Sequence, residues 1–333
     1  MNSVFITGAN GFIGSNLCRH FLNRGVRVYG FVRETSNLRF LEGLDVCLIR
    51  GDLRETAKIR IPDDVSSVVH SASVVSDEAG EKACEMNIFH ATVNFVRKLQ
   101  ATGVPLRRFV YLSTALVLGY NGVGISEERP GEGAEFLPYT RQKKRTERFL
   151  LSEHEERGFP VVVLRPGDVY GPNDRTTCAQ ILRGCERGVP LIVGHGQWRF
   201  GYCYVENLCR VVELAISTEG IEGRAYTITN GELPTWRDFF EAIQKRLGKR
   251  QRVYIPVWFA FAVARMMEGF QRVFPGYQPP LNYYRIKRIT TETTYDISRT
   301  VAELGFRPDD NFEAQIAQIM NWYLQERKNG YLA

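Results

Sequence analysis

The chain has 333 residues, 44% apolar and 24% charged, with a net charge of +6. That length supports a large core, two lobes sharing one continuous sheet, and the small net charge excludes the concentrated basic stripe of a nucleic-acid binder. Seven cysteines with no C-x-x-C pair argue for free thiols in a reducing compartment and against a structural zinc, so no metal site is expected.

In chain order, Val4-Phe5-Ile6 is a short apolar run of the kind a buried parallel strand needs. Helical spacing then begins at Phe12, Ile13, Leu17, Phe21 and Leu22. Further strands are expected at 26–32, 46–49 and 65–70, then a long helix over 78–102 and a fifth strand at 109–112. A glycine- and acid-rich loop over 120–138 leads into a helix over 139–156. A sixth strand at 161–164 is broken by Pro166-Gly167. The second half reads as helices near 178–187, 206–217, 236–247, 258–273 and 312–325, with strands at 225–229 and 293–296. This alternation predicts an α/β fold: a Rossmann-type doubly wound parallel sheet with a smaller, mostly helical C-terminal lobe. The expected division is 1–170 for the cofactor and 171–333 for the substrate, with some chain returning to the sheet. The first strand begins within three residues of Met1, so no signal peptide is expected. No apolar run approaches the roughly 18 residues of a membrane span, and a cytoplasmic protein is the expectation.

Between the first strand and helix lies Thr7-Gly8-Ala9-Asn10-Gly11-Phe12-Ile13-Gly14. Gly8 permits a tight turn, Gly11 lets backbone approach phosphates, and Gly14 lets the helix pack on the strand. This G-x-x-G-x-x-G string resembles the signature of the extended short-chain dehydrogenases/reductases, the NAD-dependent epimerase/dehydratase family. The resemblance implies an NAD(P) site that includes Gly8, Asn10, Gly11, Phe12, Ile13 and Gly14. An acid at the end of the second strand would favour NAD, and a basic residue NADP. Val32 stands there, followed by Arg33, which points to NADP; Glu34 can compete for Arg33, so NAD stays open. By resemblance Asp52, with Leu53, contacts adenine, although a turn residue after Gly51 reads equally well. His70 reads as a structural histidine, Ser71 and Ala72 as the cofactor edge of the fourth strand, and Asn87 as the family's proton-relay asparagine.

Tyr139 and Lys143 lie four residues apart on one helix and share a face. Hydride transfer at a carbinol needs a group to take the hydroxyl proton. A phenol, with a reference pKa of roughly 10, can do so when an ammonium lies nearby. Lys143 can also hold the nicotinamide ribose. Thr114 follows the fifth strand, and its place resembles the Ser/Thr–Tyr–Lys triad of the family, with Ser113 the runner-up. The competing reading of Thr114 is a hydroxyl that caps backbone. The run Leu164-Arg165-Pro166-Gly167-Asp168-Val169-Tyr170-Gly171-Pro172 resembles the family loop beside nicotinamide and substrate, which nominates Pro166 and Asp168. Asp168 stands where the family often has Asn.

Around Trp198-Arg199 and Tyr204-Val205-Glu206-Asn207-Leu208 the chain resembles the substrate lobe of the family. An arginine near Arg199 grips the diphosphate in nucleotide-sugar epimerases. Here the spacing is closer to the branch acting on 3β-hydroxysteroids, sterol carboxylates and long-chain hydroxy acids. Residues 255–274 are apolar nearly all round and follow Lys245, Arg246, Lys249, Arg250 and Arg252. Three readings stand: a core helix, a lid over a lipid pocket, or a helix at a membrane surface. The expected function is interconversion of a secondary alcohol and a ketone on an apolar small molecule. The alternatives are a nucleotide-sugar epimerase or dehydratase, and a non-catalytic redox sensor. A small-molecule partner, no nucleic acid, peripheral membrane contact through 255–274 and a homodimer complete the expectations.

Overall fold

The computed structural model describes residues 3–73, 80–188, 192–249, 254–274, 277 and 282–332. Glu78, at the expected start of the long helix, and Arg250 and Arg252 of the basic run lie outside the described residues. β1 (Ser3–Thr7), α1 (Phe12–Leu22), β2 (Arg27–Val32), β3 (Val46–Arg50) and β4 (Ser67–His70) open the alternation. The long helix is α2 (Glu81–Cys84), a π-helical stretch (Glu85–His90) and α3 (Ala91–Thr102) in one run. β5 (Arg108–Leu112), β6 (Gly122–Ile125), α4 (Pro138–Arg157), β7 (Val161–Pro166) and β8 (Asp168–Tyr170) follow.

Beyond these come α5 (Thr177–Arg187), β9 (Ile192–Val193), β10 (Tyr202–Tyr204), α6 (Val205–Ser217), β11 (Arg224–Ile228) and α7 (Trp236–Arg246). The chain ends with β12 (Tyr254–Ile255), α8 (Val257–Val273), α9 (Tyr283–Ile289), β13 (Thr293–Tyr295), α10 (Ser298–Leu304) and α11 (Phe312–Lys328). Seven strands form one parallel sheet in the order β3-β2-β1-β4-β5-β7-β11. Each of β1, β4, β5 and β7 is buried along its length, because helices cover both faces, and this is why those strands read as unbroken apolar runs. β11 completes the sheet from chain far beyond residue 170, and α6 packs on α1, so the second half does return to the first.

Three differences from the expected elements have physical causes. β7 runs through Pro166 instead of stopping before it. Its pairing with β5 ends at Leu164, so from there only β11 flanks it and the missing proline N–H costs no ladder bond. Within the expected 120–138 loop, β6 pairs with β13, about 170 residues away, a partner that no local pattern announces. α8 is not a core helix: only Ala260 and Ala264 are buried, while Trp258 is 72% and Met266 67% exposed. Among the described residues no helix is long and apolar enough to cross a membrane.

Candidate functional site

The turn after β1 is shaped by two glycines. Gly8 adopts φ +67°, and a Cβ there would lie 2.9 Å from the Ala72 backbone. At Gly14 a Cβ would stand 2.1 Å from the Gly8 carbonyl oxygen, so α1 can reach β1 only without a side chain. Gly11 caps α1 with no side-chain hydrogen bond, leaving the first-turn N–H groups to a ligand, the usual anion site of a helix start. Gly8, Asn10, Gly11, Phe12, Ile13 and Gly14 all line one cleft of about 570 Å³ along the carboxyl ends of the strands.

At the end where the resemblance expects adenosine, the cleft is lined by Arg33, Ser36, Asp52, Leu53 and Arg54. Arg33 is exposed, and among the described residues no ion pair joins it to Glu34, whose carbonyl instead accepts from Arg50 Nη1 at 3.1 Å. Asp52 proves to be both turn residue and cleft wall. Its Oδ1 accepts the Arg54 N–H at 2.8 Å, and the Arg54 guanidinium grips its carboxylate at 3.0 Å and 2.6 Å. That grip holds the Asp52 carboxyl below its ordinary range. Sequence reasoning missed Ser36 and Arg54, which lie just after β2 and β3 with no local pattern to single them out.

His70 is 1% exposed, stacked among Phe95, Phe109 and Tyr111. Thr7 Oγ1 accepts from the Ala72 N–H at 3.1 Å and lies 2.9 Å from His70 Nδ1. Thr92 Oγ1 lies 2.9 Å from Nε2 and donates to the Ile88 carbonyl. Thr92 Oγ1 spends its proton on Ile88, so Nε2 must carry a ring proton, and burial, which pushes the pKa down to about 3, keeps the ring neutral with Nδ1 accepting from Thr7. The unfolded ring takes a proton below about 6.5, so stability is complete above that pH and falls toward pH 3, by about 1.4 kcal/mol per unit. Urea midpoints measured between pH 7.5 and 5 should therefore fall less steeply in His70→Gln than in the unmutated protein; equal slopes would remove His70 from the acid response.

The end where the resemblance expects the reaction gathers Ser71, Ala72, Asn87, Ser113, Thr114, Tyr139, Pro166 and Asp168, contributed by five different stretches of chain. Pro138 opens α4 at the position where its fixed φ suits a helix start, which places Tyr139 in the first turn. Lys143, one turn later, lies behind the wall at 3% exposure. Its Nζ donates to the Leu112 carbonyl at 2.6 Å and stands 5.8 Å from the Tyr139 ring centroid and 4.8 Å from that of Tyr111. Burial brings the Lys143 ammonium down to about 7, opposed by the Glu147 carboxylate one further turn along. Glu147 is in turn clasped by Arg165, at 2.7 Å and 3.1 Å.

Thr114 does cap backbone, accepting from the Leu116 N–H at 3.3 Å, and lines the cleft as well. A hydroxyl has a donor and a second lone pair left, so the two roles are compatible. Asn87 lies in the π-helical stretch, its amide donating to the Ala83 carbonyl at 2.8 Å.

Arg199 is placed outside the cleft. Its Nε donates to Glu292 at 2.6 Å, and its backbone N–H reaches the same carboxylate at 3.1 Å. In its stead Arg288 of α9 enters the cleft wall and pairs with Asp168. No pattern in the sequence singled out Arg288, because α9 is a helix of seven residues that tertiary contacts carry to the site.

A cradle that any Cβ would fill, a bare helix start and two buried hydroxyls without partners, Ser73 Oγ and Ser113 Oγ, on one cleft fit a bound dinucleotide. Together with the seven-stranded parallel sheet, this is the class of the dinucleotide-binding α/β proteins. A model of the NAD dependent epimerase/dehydratase family matches residues 4–229. The chain is 30% identical to sterol demethylase protein B of Methylococcus capsulatus, covering 96% of this chain and 98% of that one. It is 27% identical to a 3 beta-hydroxysteroid dehydrogenase/Delta 5→4-isomerase of Mycobacterium tuberculosis, over 97% and 91%. To a 2-alkyl-3-oxoalkanoate reductase of Shewanella oneidensis it is 25% identical, over 92% and 82%. The chain belongs to the NAD-dependent epimerase/dehydratase family of extended short-chain dehydrogenases/reductases, in the 3β-hydroxysteroid dehydrogenase-like branch, and is an NAD(P)-dependent enzyme.

Proposed function

We propose that this enzyme interconverts a secondary alcohol and a ketone on an apolar, steroid-like or lipid-like molecule, with NADP preferred to NAD. The observation that carries the reading is the convergence of Ser113, Thr114 and Tyr139 on the cleft of the glycine turn, with the Lys143 ammonium buried behind them. Bound NAD(P) supplies the hydride acceptor or donor. In oxidation the carbinol carbon gives up hydride while its hydroxyl proton passes to the Tyr139 oxygen; in reduction both return. Thr114, with Ser113 beside it, donates a hydrogen bond to the reacting oxygen and steadies its developing charge. The positive charge of Lys143 favours the tyrosinate form.

The names of the relatives support an apolar substrate: one names a sterol, one a hydroxysteroid, one a 2-alkyl-3-oxoalkanoate. Arg199, paired with Glu292 and outside the cleft lining, speaks against the diphosphate anchor that the epimerase alternative needs. The exposed apolar stripe of α8, with Trp258 about two turns before Met266, then Phe270 and Val273 at about one turn each, and Arg265 and Arg272 beside it, suits peripheral contact with a membrane surface. A screen of steroid and long-chain secondary alcohols by cofactor absorbance tests the activity, with calorimetry against UDP beside it. Turnover of such an alcohol and no UDP binding are expected; tight UDP binding with no turnover of any apolar alcohol would overturn the reading.

The NADP preference rests on Arg33, exposed at the adenosine end and free of Glu34. A charge-assisted bond to the 2′-phosphate contributes about 1.5–3 kcal/mol, roughly 10- to 100-fold in affinity. NADPH should therefore bind at least tenfold more tightly than NADH, and Arg33→Ala should erase most of that ratio. Equal affinities for the two cofactors in the unmutated protein would end the preference.

A further inference from the structure

Of the chain beyond α5, the described residues send one side chain to the cleft wall, Arg288, and it arrives well supported. Lys287 beside it binds Glu132 at 2.6 Å, Tyr284 packs edge-on against Tyr120, and the Thr293 N–H joins the Arg199 carbonyl at 3.0 Å. Its partner Asp168 stands on β8, directly after Pro166-Gly167, and is fixed by its own N–H to the Gly201 carbonyl at 2.7 Å. The pair bridges the two lobes, with side chains 22% and 20% exposed, on the cleft that holds Ser113, Thr114 and Tyr139.

A purely apolar ligand sealing this cleft would strip water from the pair and return nothing, an unfavourable exchange. A ligand bearing a carboxylate would compensate, because a guanidinium presents a planar fork of donors that matches a carboxylate. We propose that Arg288 recognises a carboxylate on the substrate and that Asp168 is the counter-ion that orients it and tempers its affinity. The inference deepens the apolar alcohol/ketone reading and rests on it: the substrate becomes an apolar hydroxy or oxo acid, the chemical class named by the 2-alkyl-3-oxoalkanoate relative.

The test uses binding, so that it does not depend on turnover. A long-chain 2-alkyl-3-hydroxy acid and its methyl ester are titrated calorimetrically into the NADPH-loaded protein. The acid should bind at least tenfold more tightly than the ester. Arg288→Gln should reduce that ratio to near one, and Arg288→Lys, which keeps the charge and the pair but loses the fork, should retain only part of it. Asp168→Asn should act in the opposite sense, raising the acid-to-ester ratio because the guanidinium is no longer shared; a merely structural ion pair would weaken both ligands in both variants. Equal affinities in the unmutated protein, or a preference that survives Arg288→Gln, overturns the inference. Oxidation of the acid is then followed separately: preferential binding without turnover refutes the proposed activity and leaves carboxylate recognition standing.

Discussion

Replacing Tyr139 with phenylalanine should lower turnover by roughly 100-fold or more while cofactor binding stays near that of the unmutated protein. The substitution removes one oxygen and keeps the ring, so the packing of the first turn of α4 on the cleft is retained. What is lost is the group proposed to exchange a proton with the substrate oxygen. Neither neighbouring hydroxyl can substitute efficiently, because a serine or threonine alcohol ionises far less readily than a phenol beside an ammonium. Single-turnover absorbance on pre-bound cofactor separates the chemical step from binding. A Tyr139→Phe protein that retained turnover would move the proton transfer elsewhere, with Thr114 the first residue to examine.

Gly14→Ala should weaken NADPH binding by roughly 100-fold or more, although only a methyl group is added. The new Cβ would sit 2.1 Å from the Gly8 oxygen, 2.8 Å from its carbonyl carbon and 2.9 Å from the Ala9 Cα, all of them backbone atoms that no rotamer change can clear. Either α1 lifts from β1 or the turn deforms, and both misplace the first-turn N–H groups proposed to hold the pyrophosphate. Losing two charge-assisted hydrogen bonds of about 1.5–3 kcal/mol each accounts for the size of the effect. Gly269→Ala is the control: nothing lies within 4 Å of its Cβ position, and NADPH affinity should be unchanged. Fluorescence titration of the cofactor, with a thermal melt on the same samples, distinguishes a damaged site from an unfolded chain. Unaltered affinity in folded Gly14→Ala would mean that the turn does not hold the cofactor.

The parts of this protein that were legible share one property: their signal is local. A buried strand, a turn that needs φ above zero and a helix face repeat at short spacing, so β1, the glycine turn, α1 and the Tyr139/Lys143 pair could be read directly. The same locality explains why His70 was read as structural, since it sits within an apolar strand whose four residues are all buried. Where the reading left choices open, the structure leaves room for both: Asp52 makes its turn and also lines the cleft, and Thr114 caps backbone and lines it as well.

Composition and hydropathy could not tell whether the apolar helix α8 faces core or solvent, because amphipathicity fades when nearly every position is apolar. Only packing against α9, through small residues such as Ala260 and Ala264, decided that its large side chains face outward. Arg199 was nominated from spacing along the chain, and a carboxylate 93 residues later, Glu292, holds it outside the cleft. Arg288 reaches Asp168 across 120 residues of intervening chain, over a surface built by β8, β10 and β13. Turns, helix starts and periodic faces are set by interactions a few residues apart and are therefore written in the sequence. Which charges meet is set by how distant segments pack, and only the tertiary structure decided that.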